Sequence, residues 1–249
     1  TDVYNTAVGF NAGVAVTTGL RNTLIGGLAG DAITTANDNV AVGKGALTAD
    51  TTGASNTAVG SAALEISTTG SENTALGYAA LNANTTASNN TAVGSAALAA
   101  NTTGASNVAL GKTAGAAITT GSRNIAIGHD AGASATTVSD NTAVGYYALQ
   151  DNTGASNTAV GSYALLQNTT ASNNTAVGSA ALAANTTGAD NVAVGKGSLA
   201  ANTTGSYNHA FGVGAGAAIT TGDTNIAIGN AALSTATTAD GNTAVGHSA

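Results

Sequence analysis

The chain has 249 residues and a net charge of −7; 43% of it is hydrophobic, yet only 3% is aromatic and 7% charged, with no Cys, Met, Pro or Trp. An ordinary globular domain carries about 25% charged residues. This chain has neither the bulky side chains of a thick core nor the charge of a disordered tail, and a thin core shared between stacked units suits it better.

Asparagine opens a recurring unit at Asn5, Asn22, Asn39, Asn56, Asn73, Asn90, Asn107, Asn124, Asn141, Asn157, Asn174, Asn191, Asn208, Asn225 and Asn242. Thirteen of the fourteen intervals are 17 residues; the one from Asn141 to Asn157 is 16. So short and strict a period defines a repeat architecture. With the Asn as position 0, positions +1 to +3 read Thr-Ala-Val, Val-Ala-Val or Ile-Ala-Ile, as in Thr57-Ala58-Val59 and Ile125-Ala126-Ile127. β-branched residues around a small one predict a short strand. Position +4 is Gly in every unit, which points to positive φ or close backbone approach at a corner.

Position +7 is Ala except at Ser198, and position +8 is Leu or Gly, as in Leu98, Leu182 and Leu233 against Gly30, Gly115 and Gly216. A second short strand or bend with one core anchor is expected there. A Thr pair at +12 and +13 follows, then usually Gly at +14, as in Gly53, Gly104 and Gly188, marking a second corner. Ala-Ala-Leu-Ala-Ala also has helix propensity, but two turn positions per unit leave no segment as long as a short helix. The fold predicted is all-β: a parallel β-solenoid or β-roll of fifteen 17-residue coils. Stacked at ~4.8 Å, fifteen coils would make a rod of roughly 70 Å.

Stacking puts each residue type in a column. The Asn column can form a ladder of amide hydrogen bonds, or Asn can simply tolerate a left-handed corner. Side chains alternate across a strand, so +1 and +3 share one face and +2 takes the other. If +3 points into the coil, the unbranched Ala column at +2 points out and forms a packing stripe for a parallel homo-oligomer, carried by Ala58, Ala92, Ala126, Ala159, Ala193 and Ala227. In the opposite arrangement Ala lines a narrow coil and the β-branched pair faces out. Position +2 is Ala in all units but one, which has Leu24.

No composition shift marks a domain boundary, so residues 1–249 read as a single repeat domain, expected to be a piece of a longer fibre, with no visible signal peptide. Thr85 to Ala105 and Thr169 to Ala189 are identical, so blocks of units were copied as well. No apolar run reaches the ~18 residues of a transmembrane helix. The five basic residues, Arg21, Lys44, Lys112, Arg123 and Lys196, are scattered, which argues against a nucleic-acid partner or an anionic membrane surface.

The residues for chemistry are sparse. His129, His209 and His247 fall in different coils without metal-ligand spacing. Gly111-Lys112-Thr113 ends like a phosphate-binding loop, but Ser106 stands where that motif needs Gly. No βαβ pattern surrounds Gly212-Val213-Gly214-Ala215-Gly216, so it is not a dinucleotide fingerprint. Asn-x-Thr triplets such as Asn101-Thr102-Thr103 are weak glycosylation signals, since the repeat itself generates them. No catalytic residue, cofactor or metal site is expected, and the chain does not read as an enzyme. Positions +5 and +6 vary most and are expected at the surface; Tyr78, Tyr146, Tyr147 and Tyr163 lie there. Exposed aromatics of this kind stack on sugars or anchor a partner; ordinary surface variation is the plainer explanation.

Asn-Val-Ala-Val-Gly-x-x-Ala and Asn-Ile-Ala-Ile-Gly-x-x-Ala resemble the repeats of trimeric autotransporter adhesin heads, a left-handed parallel β-roll whose repeats are shorter. With Ala-Leu and Asn-Thr-Thr-Gly included, the pattern is similar to the repeat regions of bacteriophage tail fibres. The resemblance spans the chain and implies a left-handed coil and a homotrimer. On that basis the chain is expected to be a structural fibre or adhesin shaft of a virion or cell surface, holding out a receptor-binding tip with a glycan or other receptor as partner. The alternative is an ice-binding solenoid using a Thr column.

Overall fold

The computed structural model describes residues 4–249, and the chain forms two compact units, Thr1–Arg123 and Asn124–Ala249. The first carries β1 (Thr6–Val8), β2 (Thr23–Ile25), β3 (Val40–Val42), β4 (Thr57–Val59), β5 (Thr74–Leu76), β6 (Thr91–Val93) and β7 (Val108–Leu110). The second carries β8 (Ile125–Ile127), β9 (Thr142–Val144), β10 (Thr158–Val160), β11 (Thr175–Val177), β12 (Val192–Val194), β13 (His209–Phe211), β14 (Ile226–Ile228) and β15 (Thr243–Val245). Within each unit successive strands pair in parallel at equivalent positions: Ala58 opposite Ala75, Ala159 opposite Ala176. Each repeat is therefore one coil of a parallel β-solenoid. The 16-residue coil keeps this register, with Thr158 opposite Thr142.

The Gly corner at +4 is required twice over. These glycines hold φ between +129° and +140°, a region that costs residues with a Cβ dearly. The coils also touch there: a methyl group on Gly77 would lie 2.6 Å from the carbonyl oxygen of Gly94. After the corner the chain bends rather than forming a second strand, and among the described residues there is no helix. The cause is backbone handedness. Ala96 at +6 has φ 56° and Leu98 at +8 has φ 50°, so even Ala-Ala-Leu-Ala-Ala cannot propagate a right-handed helix or an extended strand.

The Ala stripe faces inward, contrary to the outward arrangement proposed from the sequence. Ala58, Ala92, Ala126, Ala159, Ala193 and Ala227 are 0–2% exposed within the chain's own coils. The +2 methyl groups lie across the coil from +8: a Cβ on Gly132 would be in ordinary contact, 3.7 Å from that of Ala126 and 3.9 Å from that of Ala143. Leu24 at +2 is admitted because its coil and the one before carry Gly at +8; a Cβ on Gly13 or Gly30 would come within 2.7 Å of the Leu24 methyl carbons. Elsewhere the anchor is Leu at +8, fully buried at Leu47, Leu64, Leu81, Leu98, Leu149, Leu165, Leu182 and Leu199. Where +8 is Gly30, Gly115 or Gly216, a buried Ile33, Ile118 or Ile219 at +11 fills the space.

Asn at position 0 is buried from Asn22 to Asn225 and bonded in two directions. The Asn90 side-chain N–H donates to the Gly104 carbonyl of its own coil at 2.9 Å, while its Oδ1 accepts the Asn107 backbone N–H at 2.9 Å. Asn174 repeats the pattern in the second unit, donating to the Gly188 carbonyl at 2.9 Å. The ladder is thus amide to backbone for the most part, and the left-handed residue is the one before it, such as Asn89 (φ 63°) or Ser106 (φ 60°). A second, shorter ladder runs at +11. Asn168 donates to Asn152 Oδ1, Asn185 to Asn168 and Asn202 to Asn185, at 2.7 to 2.9 Å. In the first unit Asn101 donates to Asn84 at 3.0 Å. Asn101 and Asn202 are the last rungs before Ile118 and Ile219, which offer no donor, and their Oδ1 atoms are left without a partner. Asp50 occupies the same column. Burial pushes its carboxyl up to about 7, against the opposing pull of the Gly53 and Thr51 backbone N–H groups.

Candidate functional site

Turning +2 inward turns +1 and +3 outward. Position +3 is large and apolar in every coil: Val, Ile or Leu throughout, and Phe211 once. Val8, Ile25 and Leu76 are exposed in the first unit, and Val160, Val177, Phe211, Ile228 and Val245 in the second. The strand pairing aligns these residues one above another, as Val160 over Val177 and Phe211 over Ile228. Beside them runs +1, Thr in nine coils and Val, Ile or His209 in the rest. Each unit therefore presents an apolar column along its strand face. Soluble monomers seldom expose contiguous apolar patches of this kind.

The Thr pair divides its roles. The +12 hydroxyl donates to the +12 carbonyl of the next coil, as Thr102 to Thr119 and Thr186 to Thr203 at 3.1 and 2.9 Å. The +13 residue is exposed, as at Thr103, Thr120, Thr187 and Thr204. Asn101 of the Asn-Thr-Thr triplet is fully buried, so the folded coil hides that glycosylation acceptor.

Of the four tyrosines singled out in the sequence, the structure brings three together. Tyr146 and Tyr147 have ring centroids 4.2 Å apart; Tyr163, one coil on, lies 5.5 Å from Tyr146 and stacks on Tyr147 at 5.8 Å. His129, one coil back, joins them at 5.6 Å from Tyr146 and 5.7 Å from Tyr147. Its Nδ1 is 3.0 Å from Asp130 Oδ2. Tyr78 is in the first unit, 65% exposed, and takes no part in these contacts. The Tyr146 phenol titrates above its usual value, chiefly through its hydrogen bond with Tyr147; burial and the Asp130 charge push the same way, and Tyr163 opposes. His129 was legible as a member only through the period: it occupies the same +5 position as Tyr146, one repeat earlier.

The cluster coincides with the least regular coils. The coil from Asn124 has Val138 where +14 is usually Gly, and Gly132 with Ala135 where all but the first of the others place Leu or Ile. The next coil is the 16-residue one. Compared with known proteins, the chain matches no family model and no curated sequence. Among the described residues no three His, Asp or Glu side chains gather as metal ligands, and no helix is long and apolar enough to cross a membrane.

Proposed function

We propose that the chain is a stiff structural shaft of a phage tail fibre or cell-surface adhesin, in which parallel copies pack through their strand faces and carry a receptor-binding tip. The observation that supports this is the outward +3 column, apolar in every coil. A second copy has the same coil period and so meets every rung of that column in step, which a partner of different period cannot do. The resemblance to trimeric fibre repeats suggests three chains and left-handed coils. The contact surface is then Val, Ile and Leu at +3 with the +1 residues beside them, in place of the Ala stripe. The role is mechanical: backbone pairing and Asn ladders resist bending, and the low charge leaves the outer surface inert.

Light scattering of the purified chain tests this. The expected mass is that of three 23.3 kDa chains. Val160→Lys with Val177→Lys, which places charges on the column without touching the coil interior, is expected to shift the mass towards one chain while strand content persists. A wild-type chain that is folded and monomeric would overturn the proposal. The exposed Thr column at +13 favours a second reading, an ice-binding face. It is one residue wide, since the +12 hydroxyls are spent on backbone carbonyls. Thermal hysteresis in the purified chain would favour ice binding over the shaft.

A further inference from the structure

We infer that His129, Tyr146, Tyr147 and Tyr163, with the Asp130 carboxylate, form a carbohydrate-binding platform for a neutral pyranose residue of a glycan. The chain has only six Tyr and two Phe in 249 residues, with no Trp. Three of those aromatics and one of its three His meet in one patch on three successive coils. Tyr146 and Tyr163 are 44% and 41% exposed, so ring surface is open to solvent.

The +6 position shared by two of these rings varies freely between coils. Tyr147 and Tyr163 sit at +6, left-handed in every coil, with φ 56° and 60°; other coils place Ala62, Ala79, Ala96, Ala180, Leu28, Thr113 or Gly197 there. The +6 side chains are not part of the buried core, so the rings are free of the coil's interior packing.

The chemistry selects the ligand class. A pyranose offers a C–H face that stacks on an aromatic ring and a rim of hydroxyls that need hydrogen-bond partners. The platform offers ring faces together with phenol oxygens, an imidazole and a carboxylate 3.0 Å from that imidazole. The Asp130 charge, on a chain of net charge −7, disfavours acidic sugars and selects neutral ones.

The test uses saturation-transfer NMR and calorimetry on the full chain, with methyl glucoside, methyl galactoside, methyl mannoside and their trisaccharides as probes, and sialyllactose as the acidic comparison. At least one neutral probe is expected to bind, with sialyllactose weaker. Tyr147→Ala with Tyr163→Ala installs the residue found at +6 in other coils, such as Ala96 and Ala180, and Tyr146→Ser installs the +5 Ser of Ser61, Ser95 and Ser179; these changes keep to residues the coil already accepts. They are expected to weaken sugar binding about tenfold or more, whereas Tyr78→Ala leaves it unchanged. No binding to any neutral probe, or binding that survives the tyrosine changes, would overturn the inference. Its failure is distinguishable from failure of the shaft proposal, because mass in solution does not depend on these rings.

Discussion

The coils beginning at Asn90 and Asn107 are neighbours in the first unit and fill the same narrow interior by different means. The first uses Leu98 at +8 and leaves +11 to Asn101, a rung of the second ladder. The second has Gly115 at +8 and brings in Ile118 from +11. Leu98 is buried, worth about 1.5–3 kcal/mol, but it sits at φ 50°, which costs of order 1–3 kcal/mol. The two nearly cancel. Gly115 takes its φ of 58° without that strain. The Ile118 coil instead leaves Asn101 Oδ1 unpaired, also a cost of roughly 1–3 kcal/mol. In these two coils the interior is filled from different positions, +8 in one and +11 in the other, at costs of similar order.

The sharpest way to break this comparison is to mix the two solutions in one coil. Gly216→Leu alone keeps Ile219 as well, and a Cβ there already meets Leu199 and Ile219 methyl carbons at 2.9 and 3.1 Å. Overpacking and left-handed strain together are expected to destabilise by about 2–4 kcal/mol in urea unfolding. Gly216→Leu with Ile219→Asn converts the coil fully and gives Asn202 Oδ1 a donor. It is expected to recover most of the loss, and a double variant no better than the single one would show that the two coil types are not interchangeable.

A smaller effect is expected at Asp50, an acid in the Asn column. Its folded value of about 7 lies above the ordinary carboxyl value of 3.8. The carboxyl is therefore protonated in the fold over a range where the unfolded chain ionises. Stability from this group is full below about pH 4 and is lost as pH rises to about 7. Asp50→Asn is expected to flatten that slope and to raise stability at about pH 8 by roughly 1–3 kcal/mol; an unchanged pH profile would remove Asp50 as its source. The smallest effect belongs to the coil with neither anchor. Ala135→Ile beside Gly132 supplies the missing filler and is expected to add about 1 kcal/mol, read from the urea midpoint.

The coil, its strand and its Gly corner were legible because each depends on local chemistry repeated in every unit. The facing of the strand was not. Thr57-Ala58-Val59 has apolar candidates on both faces and is too short for alternation to fix a phase. What fixes it is packing across the coil, where the +2 side chain shares the interior with +8 and +11, and that is a tertiary fact. The exchange of Leu98 for Ile118 was written in the repeats, since Gly30, Gly115 and Gly216 are each followed three residues later by Ile, but comparing columns in pairs is needed to see it. Of the tyrosine platform, the sequence pointed to Tyr146, Tyr147 and Tyr163; it also grouped Tyr78 with them, which lies in the other unit, and left out His129.

The twin segments Thr85 to Ala105 and Thr169 to Ala189 bracket His129, Tyr146, Tyr147 and Tyr163. Because every coil bonds to its neighbour through the same positions, a genetic crossover between the twins would rejoin the chain inside a sequence it already contains, with the repeat frame unbroken. Such an event would excise the aromatic patch and the 16-residue coil in one step, leaving a shorter but still regular repeat. The aromatic patch thus lies in a removable cassette, whose loss would leave the repeat frame of the architecture that carries it intact.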